Sequence, residues 1–191
     1  TGDVTLAGAS LSELAPHNRI RAGLGRTFQA IELYDDLSVT ENVKVGRTAA
    51  VHRPDAKAEH GDLGHLSEVF DLLGISDIAE RPAGELSQGQ RQLVSIARAL
   101  AGSPNLLLLD EPAGGLDSTE SRWLGERLRK IQDSGITILM VDHDMDLVLN
   151  VCDEVHVLNF GELIASGTPA EIRANRTVAT AYLGKEAQVH G

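Results

Sequence analysis

Two short, purely apolar runs constrain the fold of this chain more than any other feature. The sequence LLLL occupies positions 106–109 and ILMV occupies positions 138–141, and turn-forming residues bound both runs. Helical patterns lie before, between and after them. Strands that are apolar throughout are typical of parallel sheets whose two faces are both covered by helices. The sequence therefore predicts an α/β fold with a parallel sheet and right-handed crossovers, and we expect these two strands to be buried on both faces.

The composition describes an acidic globular chain. It has 191 residues, 42% of them hydrophobic, and its 17 basic and 28 acidic side chains give a net charge of −11. A bilayer span needs about 20 apolar residues, so we expect no transmembrane segment, and we find no pattern of a secretory signal. The negative charge argues against a broad nucleic-acid surface. The single cysteine, Cys152, excludes an internal disulfide and fits a reducing compartment.

Capping patterns predict where several helices begin. SVTE at 38–41 and TPAE at 168–171 both match the capping box, and the first of these helices is expected to run toward residue 49. Pro16 stands where a short helix would start. Residues 51–64 are polar, and we interpret them as a surface excursion.

The first candidate for chemistry is the pair of carboxylates that follows the leucine run. Ligands of open α/β sheets bind at the carboxyl ends of the strands. Asp110 could hold Mg²⁺ there, since this cation prefers oxygen ligands, and Glu111 could orient or deprotonate a water molecule. The alternative is an acidic loop that only ends the strand.

The second candidate is the segment Leu86-Ser87-Gln88-Gly89-Gln90, at the start of a helix predicted over 88–101. A serine, a glycine and the unpaired N–H groups of a new helix can form a cradle for an anion. In the simpler interpretation, Ser87 only caps an ordinary helix.

Two further residues are ambiguous on their own. His143 follows the second apolar run and could donate a hydrogen bond to a phosphate oxygen or to the water near Glu111, or it could be a structural histidine. Gln29, after Thr27 and Phe28, is nearly uninformative alone.

The order of these motifs changes their meaning. Along the chain they form one series: Gln29, residues 86–90, Asp110-Glu111-Pro112, Gly115-Leu116-Asp117 and His143. This series resembles the nucleotide-binding domain of an ABC transporter ATPase, and the resemblance covers the whole chain. It implies a P-loop NTPase-like fold: a parallel sheet core with a helical subdomain, incomplete at its N-terminus.

The resemblance assigns a role to each motif. Residues 86–90 match the signature motif, so Ser87, Gly89 and Gln90 would bind the γ-phosphate of ATP that an opposite subunit holds. Asp110 matches the Walker B aspartate and would reach Mg²⁺. Gln29 matches the Q-loop glutamine and would contact both Mg²⁺ and the nucleotide.

The remaining roles concern hydrolysis and its coupling. Glu111 would be the catalytic glutamate that polarises the attacking water, and His143 the switch histidine that senses the γ-phosphate together with Gln29. Asp117 matches the D-loop and would couple the two sites across the interface of two subunits.

Several longer segments narrow the resemblance to the ATPase subunits of branched-chain amino acid importers, although importers of urea and other amides share much of the pattern. These segments are residues 25–29, 37–43, 111–116, 143–145, 158–161, 165–169 and 181–184. The implied cofactors are ATP and Mg²⁺. The implied partners are a second ATP-binding subunit, integral-membrane permease subunits and, indirectly, a substrate-binding protein, with no nucleic acid. The expected location is peripheral, at the cytoplasmic face of the inner membrane.

The same resemblance predicts three regions. Residues 1–34 would hold the first strand and the Q-loop part of the ATPase core, and residues 35–103 the helical subdomain with the signature motif. Residues 104–191 would complete the core and add a C-terminal hairpin and helices.

Two departures from the family pattern stand out. The family needs a Walker A loop, G-x-x-x-x-G-K-[ST], and these 191 residues contain no such string. We therefore expect an N-terminally incomplete copy, without ATPase activity in a chain of these residues alone. Gln88 stands where the commonest signature has glycine, and its side chain is expected to point away from the phosphate.

Two other functions remain open from the sequence. One is an ABC-type ATPase of DNA repair or translation, which coiled-coil insertions, zinc-type cysteine pairs or a basic patch would indicate; the sequence shows none of these. The other is a non-enzymatic remnant that docks to a partner through its helical lobe.

Overall fold

The computed structural model describes residues 2–28, 30–47 and 66–181. Gln29 and the predicted surface excursion at 51–64 lie outside the described residues. The chain divides into two compact units, Thr1–Val141 and Asp142–Gly191.

The first unit begins with small elements. Strands β1 (Thr5–Leu6) and β2 (Ala9–Ser10) form an antiparallel hairpin. Helix α1 (Pro16–Arg21) follows, with Pro16 in its first turn as the sequence predicted.

A parallel sheet forms the centre of the first unit. It consists of β3 (Leu24–Arg26), β4 (Leu106–Asp110) and β5 (Thr137–Val141), in the order β3-β4-β5. Both apolar runs of the sequence therefore form neighbouring parallel strands, which confirms the predicted fold class.

The two faces of this sheet differ, and the expectation that both would be buried was wrong. Leu107 and Leu109 are buried, whereas Leu139 and Val141 are 57% and 64% exposed. Leu139 pairs with Leu108, one residue from Leu107, and successive side chains of a strand point to opposite faces. The described residues thus cover one face of the sheet and leave apolar side chains of the other face exposed.

Three helices of the first unit pack on one another. They are α2 (Val39–Arg47), α3 (Leu66–Leu73) and α4 (Gln88–Leu100). Two short 3₁₀ helices, Ser76–Ile78 and Ala83–Glu85, lie between α3 and α4. Apolar side chains that recur along the inner faces of these helices form the core, among them Val39, Val43, Leu73, Leu93, Ile96 and Leu100. Helix α5 (Ser118–Asp133) follows β4 and contacts both α3 and α4.

The predicted capping box at the start of α2 is present. The Ser38 N–H donates to Glu41 Oε2 at 2.9 Å, and the Glu41 N–H donates to Ser38 Oγ at 3.2 Å. The hydrogen bonds from Ser38 stabilise the carboxylate form and lower the pKa of Glu41 below its ordinary value.

The second unit contains a hairpin and short helices. Helix α6 (Met145–Val151) precedes the antiparallel strands β6 (Val155–Asn159) and β7 (Glu162–Gly167), and α7 (Pro169–Ala174) follows. Residues 176–181 are also helical. The second predicted capping box is present at the start of α7.

The described residues of both units contain only helices too short or too polar for a bilayer. No candidate transmembrane helix is therefore found among them.

Candidate functional site

The two carboxylates after the leucine run lie at the end of the central strand, as predicted. Asp110 is the last residue of β4, and the Glu111 N–H donates to the carbonyl oxygen of Val141 at 2.8 Å, which prolongs the pairing with β5 by one residue. Glu111 then turns the chain with a φ of +46°, a left-handed conformation that non-glycine residues rarely adopt. The turn is closed by the Gly114 N–H, which donates to Glu111 O at 3.0 Å. Such local backbone strain concentrates at functional positions.

A basic residue that the sequence did not single out lies beside Asp110. Arg26 ends β3, and its guanidinium Nη2 lies 3.5 Å from Asp110 Oδ2. The same guanidinium lies 5.2 Å from the centroid of the Phe28 ring. Arg26 pairs with Leu108, two residues before Asp110 in β4, so the side chains of Arg26 and Asp110 project from the same face of the sheet. The register of strand pairing brings Arg26 and Asp110 together although they are 84 positions apart in the sequence. The sequence pattern does not reveal this register.

The signature segment forms a capped helix start. The Gln90 N–H donates to Ser87 Oγ at 3.3 Å, and the Ser87 N–H donates to Gln90 Oε1 at 3.1 Å, which completes a capping box on α4. The Ser87 side chain therefore acts as an N-cap, as the simpler interpretation of the sequence predicted. It is compatible with anion binding, since the amides of Gln88 and Gly89 belong to the first turn, where helices have no internal acceptor for their N–H groups.

Asp117, the predicted D-loop aspartate, caps α5. Asp117 Oδ1 accepts hydrogen bonds from the N–H groups of Thr119 and Glu120 at 2.8 and 2.9 Å. In return, Glu120 Oε2 accepts from the Asp117 N–H at 3.2 Å.

Residues 86–90 and the predicted D-loop around Asp117 lie close together in the first unit. A β-carbon placed on Gly89 would lie 2.9 Å from Glu120 Oε1, and one placed on Gly115 would lie 3.8 Å from Gln88 Cγ. The capping pattern Asp117-x-x-Glu120 is visible in the sequence, but it gave no sign that Glu120 reaches a glycine of another motif.

Helix α4 also holds the segment that follows Gln29. Arg91 Nη1 donates to Asp35 Oδ1 at 2.7 Å and to the carbonyl oxygen of Ala83 at 2.8 Å. Arg98 Nη1 donates to the carbonyl oxygen of Glu32 at 2.6 Å. These contacts fix the chain on one side of Gln29, which itself lies outside the described residues.

The predicted switch histidine belongs to the second unit. The His143 side chain is 77% exposed, and its Nδ1 lies 3.9 Å from Asp142 Oδ1. Two capping interactions shape this turn: the Asp144 N–H donates to Asp142 Oδ1 at 2.9 Å, and the Leu147 N–H donates to Asp144 Oδ1 at 3.0 Å.

The donor set for a metal is small. Residues 2–28, 30–47 and 66–181 contain no group of three or more histidine, cysteine or acidic side chains that could hold an ion. The Asp110 carboxylate is 41% exposed, and its 3.5 Å contact with Arg26 is long for an ion pair. One accessible carboxylate fits Mg²⁺, which proteins commonly bind through one or two carboxylates together with the phosphates of a nucleotide.

Comparison with known families agrees with this geometry. The family described as ABC transporter matches residues 1–114, which include the signature segment and both carboxylates after β4. The chain belongs to the ABC transporter family. A second family, described as branched-chain amino acid ATP-binding cassette transporter, matches residues 162–188.

Curated relatives confirm the subfamily resemblance of this ABC chain. The high-affinity branched-chain amino acid transport ATP-binding protein LivG of Salmonella typhimurium is 34% identical, over 96% of this chain and 76% of the relative. BraF of Pseudomonas aeruginosa, which carries the same description, is also 34% identical with the same coverage. The expectation of an ABC-type ATPase subunit is thereby confirmed.

Solved structures confirm the fold of the ABC chain. The ADP conformation of MJ1267, an ATP-binding cassette of an ABC transporter, superposes with a TM-score of 0.80 and 27% identity, over 96% of this chain and 77% of that one. CbiO1 of Clostridium perfringens, part of the transporter complex cbiONQ, gives a TM-score of 0.76 at 25% identity, over 100% of this chain and 76% of that one.

Proposed function

We propose that this chain is the ATP-binding and ATP-hydrolysing subunit of an importer of branched-chain amino acids. The observation that carries the proposal is the end of β4. There Asp110 and the left-handed Glu111 project from a parallel sheet at the position where such folds bind ligands. The named relatives LivG and BraF support the substrate class.

The residues assigned by the family resemblance would divide the work of hydrolysis. Asp110, with Gln29, would hold Mg²⁺, which supplies positive charge to neutralise the phosphate oxygens. Glu111 would accept a proton from the attacking water and orient it. His143 would donate a hydrogen bond toward the γ-phosphate. A carboxylate base of this kind typically contributes about 10²- to 10⁴-fold to the rate.

The signature segment would act on a nucleotide held by a second ATP-binding subunit. A triphosphate repels itself, so it is best stabilised by donors from two sides. Ser87, Gly89 and Gln90 begin a 13-residue helix whose terminal amides and dipole favour an anion. Asp117, next to this segment in the fold, would couple the two nucleotide sites.

The three regions predicted from the sequence fit this function. Residues 35–103, with the mutually packed helices α2, α3 and α4, would be the helical subdomain that contacts the permease subunits at the cytoplasmic face of the membrane. Residues 1–34 and 104–191 would form the ATPase core. A substrate-binding protein would act indirectly, through the permease.

The test is transport by the reconstituted complex, using a chain that carries this sequence together with a G-x-x-x-x-G-K-[ST] loop. Glu111→Gln keeps the shape of the side chain but removes the base. ATP turnover and ATP-driven leucine uptake into liposomes are both expected to fall by about 100-fold or more. Glu126→Gln, on the exposed face of α5, is the matched control and is expected to retain both activities.

Two results would contradict the proposal. Normal turnover in Glu111→Gln would exclude its role as the base, and uptake of urea without uptake of leucine would exclude the substrate class. A chain of these 191 residues alone is expected to show no turnover, since the string that cradles the phosphates is not among them.

A further inference from the structure

We infer that Glu120 is a positioning residue that links the signature segment to the D-loop within one subunit. The inference deepens the proposed function, and its effect on turnover rests on that function. Glu120 lies in the first turn of α5 and belongs to neither motif.

The two oxygens of the Glu120 carboxylate face different motifs. Oε2 accepts the hydrogen bond of the Asp117 N–H at 3.2 Å. Oε1 lies 2.9 Å from the position that a β-carbon on Gly89 would occupy, and the carboxyl carbon lies 3.3 Å from it. Contacts of 2.9 Å to a β-carbon are essentially never seen, so Glu120 can hold this position only because residue 89 is glycine.

A second contact supports the first. The Gln88 side chain lies against Gly115, with its Cγ 3.8 Å and its Nε2 3.9 Å from the place of a β-carbon there. Gln88 is the residue at which this signature departs from the commonest pattern. Its side chain packs on the turn that leads to Asp117.

These contacts make the D-loop responsive to the signature segment. Any atom that approaches Gly89 from the side of α5 must displace the Glu120 carboxylate, because the two cannot occupy the same space. Displacement of Oε1 moves the carboxylate whose Oε2 accepts from the Asp117 N–H, which weakens this half of the Asp117 capping box. A movement at Gly89 is thus transmitted to Asp117 through one side chain.

The direct test measures amide hydrogen exchange by NMR on the chain without nucleotide. Gly89→Ala adds a single methyl group against Glu120 and is expected to speed exchange at the Asp117 N–H roughly two- to tenfold, as loss of one hydrogen bond implies. Gly102→Ala is the matched control near the other end of α4, where the new methyl group makes only ordinary contacts of 3.4 and 3.6 Å. Unchanged exchange at Asp117 in Gly89→Ala would overturn the inference.

A second set of variants separates positioning from helix capping. Glu120→Ala removes both contacts, whereas Glu120→Gln keeps an acceptor oxygen and is expected to restore slow exchange at Asp117. Glu41→Ala removes the equivalent glutamate of the α2 capping box. If Glu120 only caps its helix, Glu120→Ala and Glu41→Ala will lower turnover equally in the loop-bearing protein.

We expect instead that Glu120→Ala lowers kcat severalfold more than Glu41→Ala at equal loss of stability. The two proposals fail differently. Wild-type protein that exchanges as expected but has no turnover in the loop-bearing form contradicts the proposed function. Normal turnover in Glu120→Ala, or unchanged exchange at Asp117 in Gly89→Ala, contradicts the role of Glu120.

Discussion

At the scale of single residues, two buried polar side chains of the first unit differ in whether they are hydrogen-bonded. Asn42 is fully buried, and its amide makes hydrogen bonds with the backbone of Tyr34, Leu37 and Ser38. Thr27 is 2% exposed, but in the part of the chain that the structure describes its Oγ1 has no hydrogen-bond partner. A buried hydroxyl without a partner loses its hydration and gains nothing in exchange.

Thr27→Val is therefore expected to stabilise the protein. Valine has nearly the same shape and lacks the hydroxyl, and the backbone hydrogen bond from the Thr27 N–H to Leu108 O at 3.0 Å does not involve the side chain. The free energy of unfolding should rise by about 1 kcal/mol, as measured by urea denaturation.

Thr40→Val provides the matched control for this prediction. The Thr40 hydroxyl donates to the carbonyl oxygen of Ala79 at 2.9 Å and lies 3.0 Å from Glu80 Oε1. The same substitution there removes a satisfied group and should lower stability by about 1 kcal/mol. Equal effects of the two substitutions would show that Thr27 Oγ1 does have a partner.

At the scale of elements, helices α2 and α4 approach each other closely at Gly46. A β-carbon on Gly46, near the end of α2, would overlap the carbonyl oxygen of Arg98 in α4. By helix propensity alone, Gly46→Ala would stabilise α2 by up to about 1 kcal/mol. The overlap involves backbone, which cannot swing away as a side chain can, so α2 would have to move off α4.

We expect the steric overlap to outweigh the gain in helix propensity, so that Gly46→Ala destabilises the protein. Gly46→Ala should lower the free energy of unfolding by roughly 1 to 3 kcal/mol in urea denaturation, the usual cost of overpacking. Gly102→Ala, whose methyl group would make only ordinary contacts, should change it by no more than about 0.5 kcal/mol. A stabilised Gly46→Ala variant would mean that the α2–α4 packing adjusts freely.

Local elements were the most predictable part of the fold. The capping boxes at Ser38 and Thr168, the short helix at Pro16 and the strands at 106–109 and 138–141 all follow from rules that act within a few residues. The exposed face of β5 did not follow from them. An apolar run indicates that its side chains favour burial. It does not indicate which neighbouring element covers each face of the strand.

In the candidate site, too, local features could be predicted from the sequence and contacts between distant elements could not. Asp110 and Glu111 could be placed at a strand end from the sequence, because the leucines fix where β4 stops. The Arg26–Asp110 contact spans 84 positions and depends on strand register, and the approach of Glu120 to Gly89 depends on how α5 packs against α4. Contacts of this kind are settled only when the elements pack together.

At the scale of the whole molecule, the net charge favours a transporter subunit over an ATPase that binds nucleic acid. The chain carries −11, with 28 acidic against 17 basic side chains. Proteins that bind DNA without sequence preference neutralise several phosphates with lysine and arginine, and they reach dissociation constants of about 10⁻⁴ to 10⁻⁶ M at physiological salt. An acidic surface opposes that interaction at every distance shorter than the screening length, about 8 Å at physiological ionic strength.

We therefore expect no saturable binding of a fluorescently labelled DNA duplex in anisotropy titrations up to about 10⁻⁴ M protein. Adding Mg²⁺ and ATP should not change this, because closure of two acidic subunits around nucleotide adds negative charge to the assembly. A basic duplex-binding protein of similar size, titrated under the same conditions, shows that the assay detects weak complexes. Micromolar binding that weakens steeply with salt would instead require a local basic surface, and it would favour an ABC-type ATPase of DNA repair over a transporter subunit.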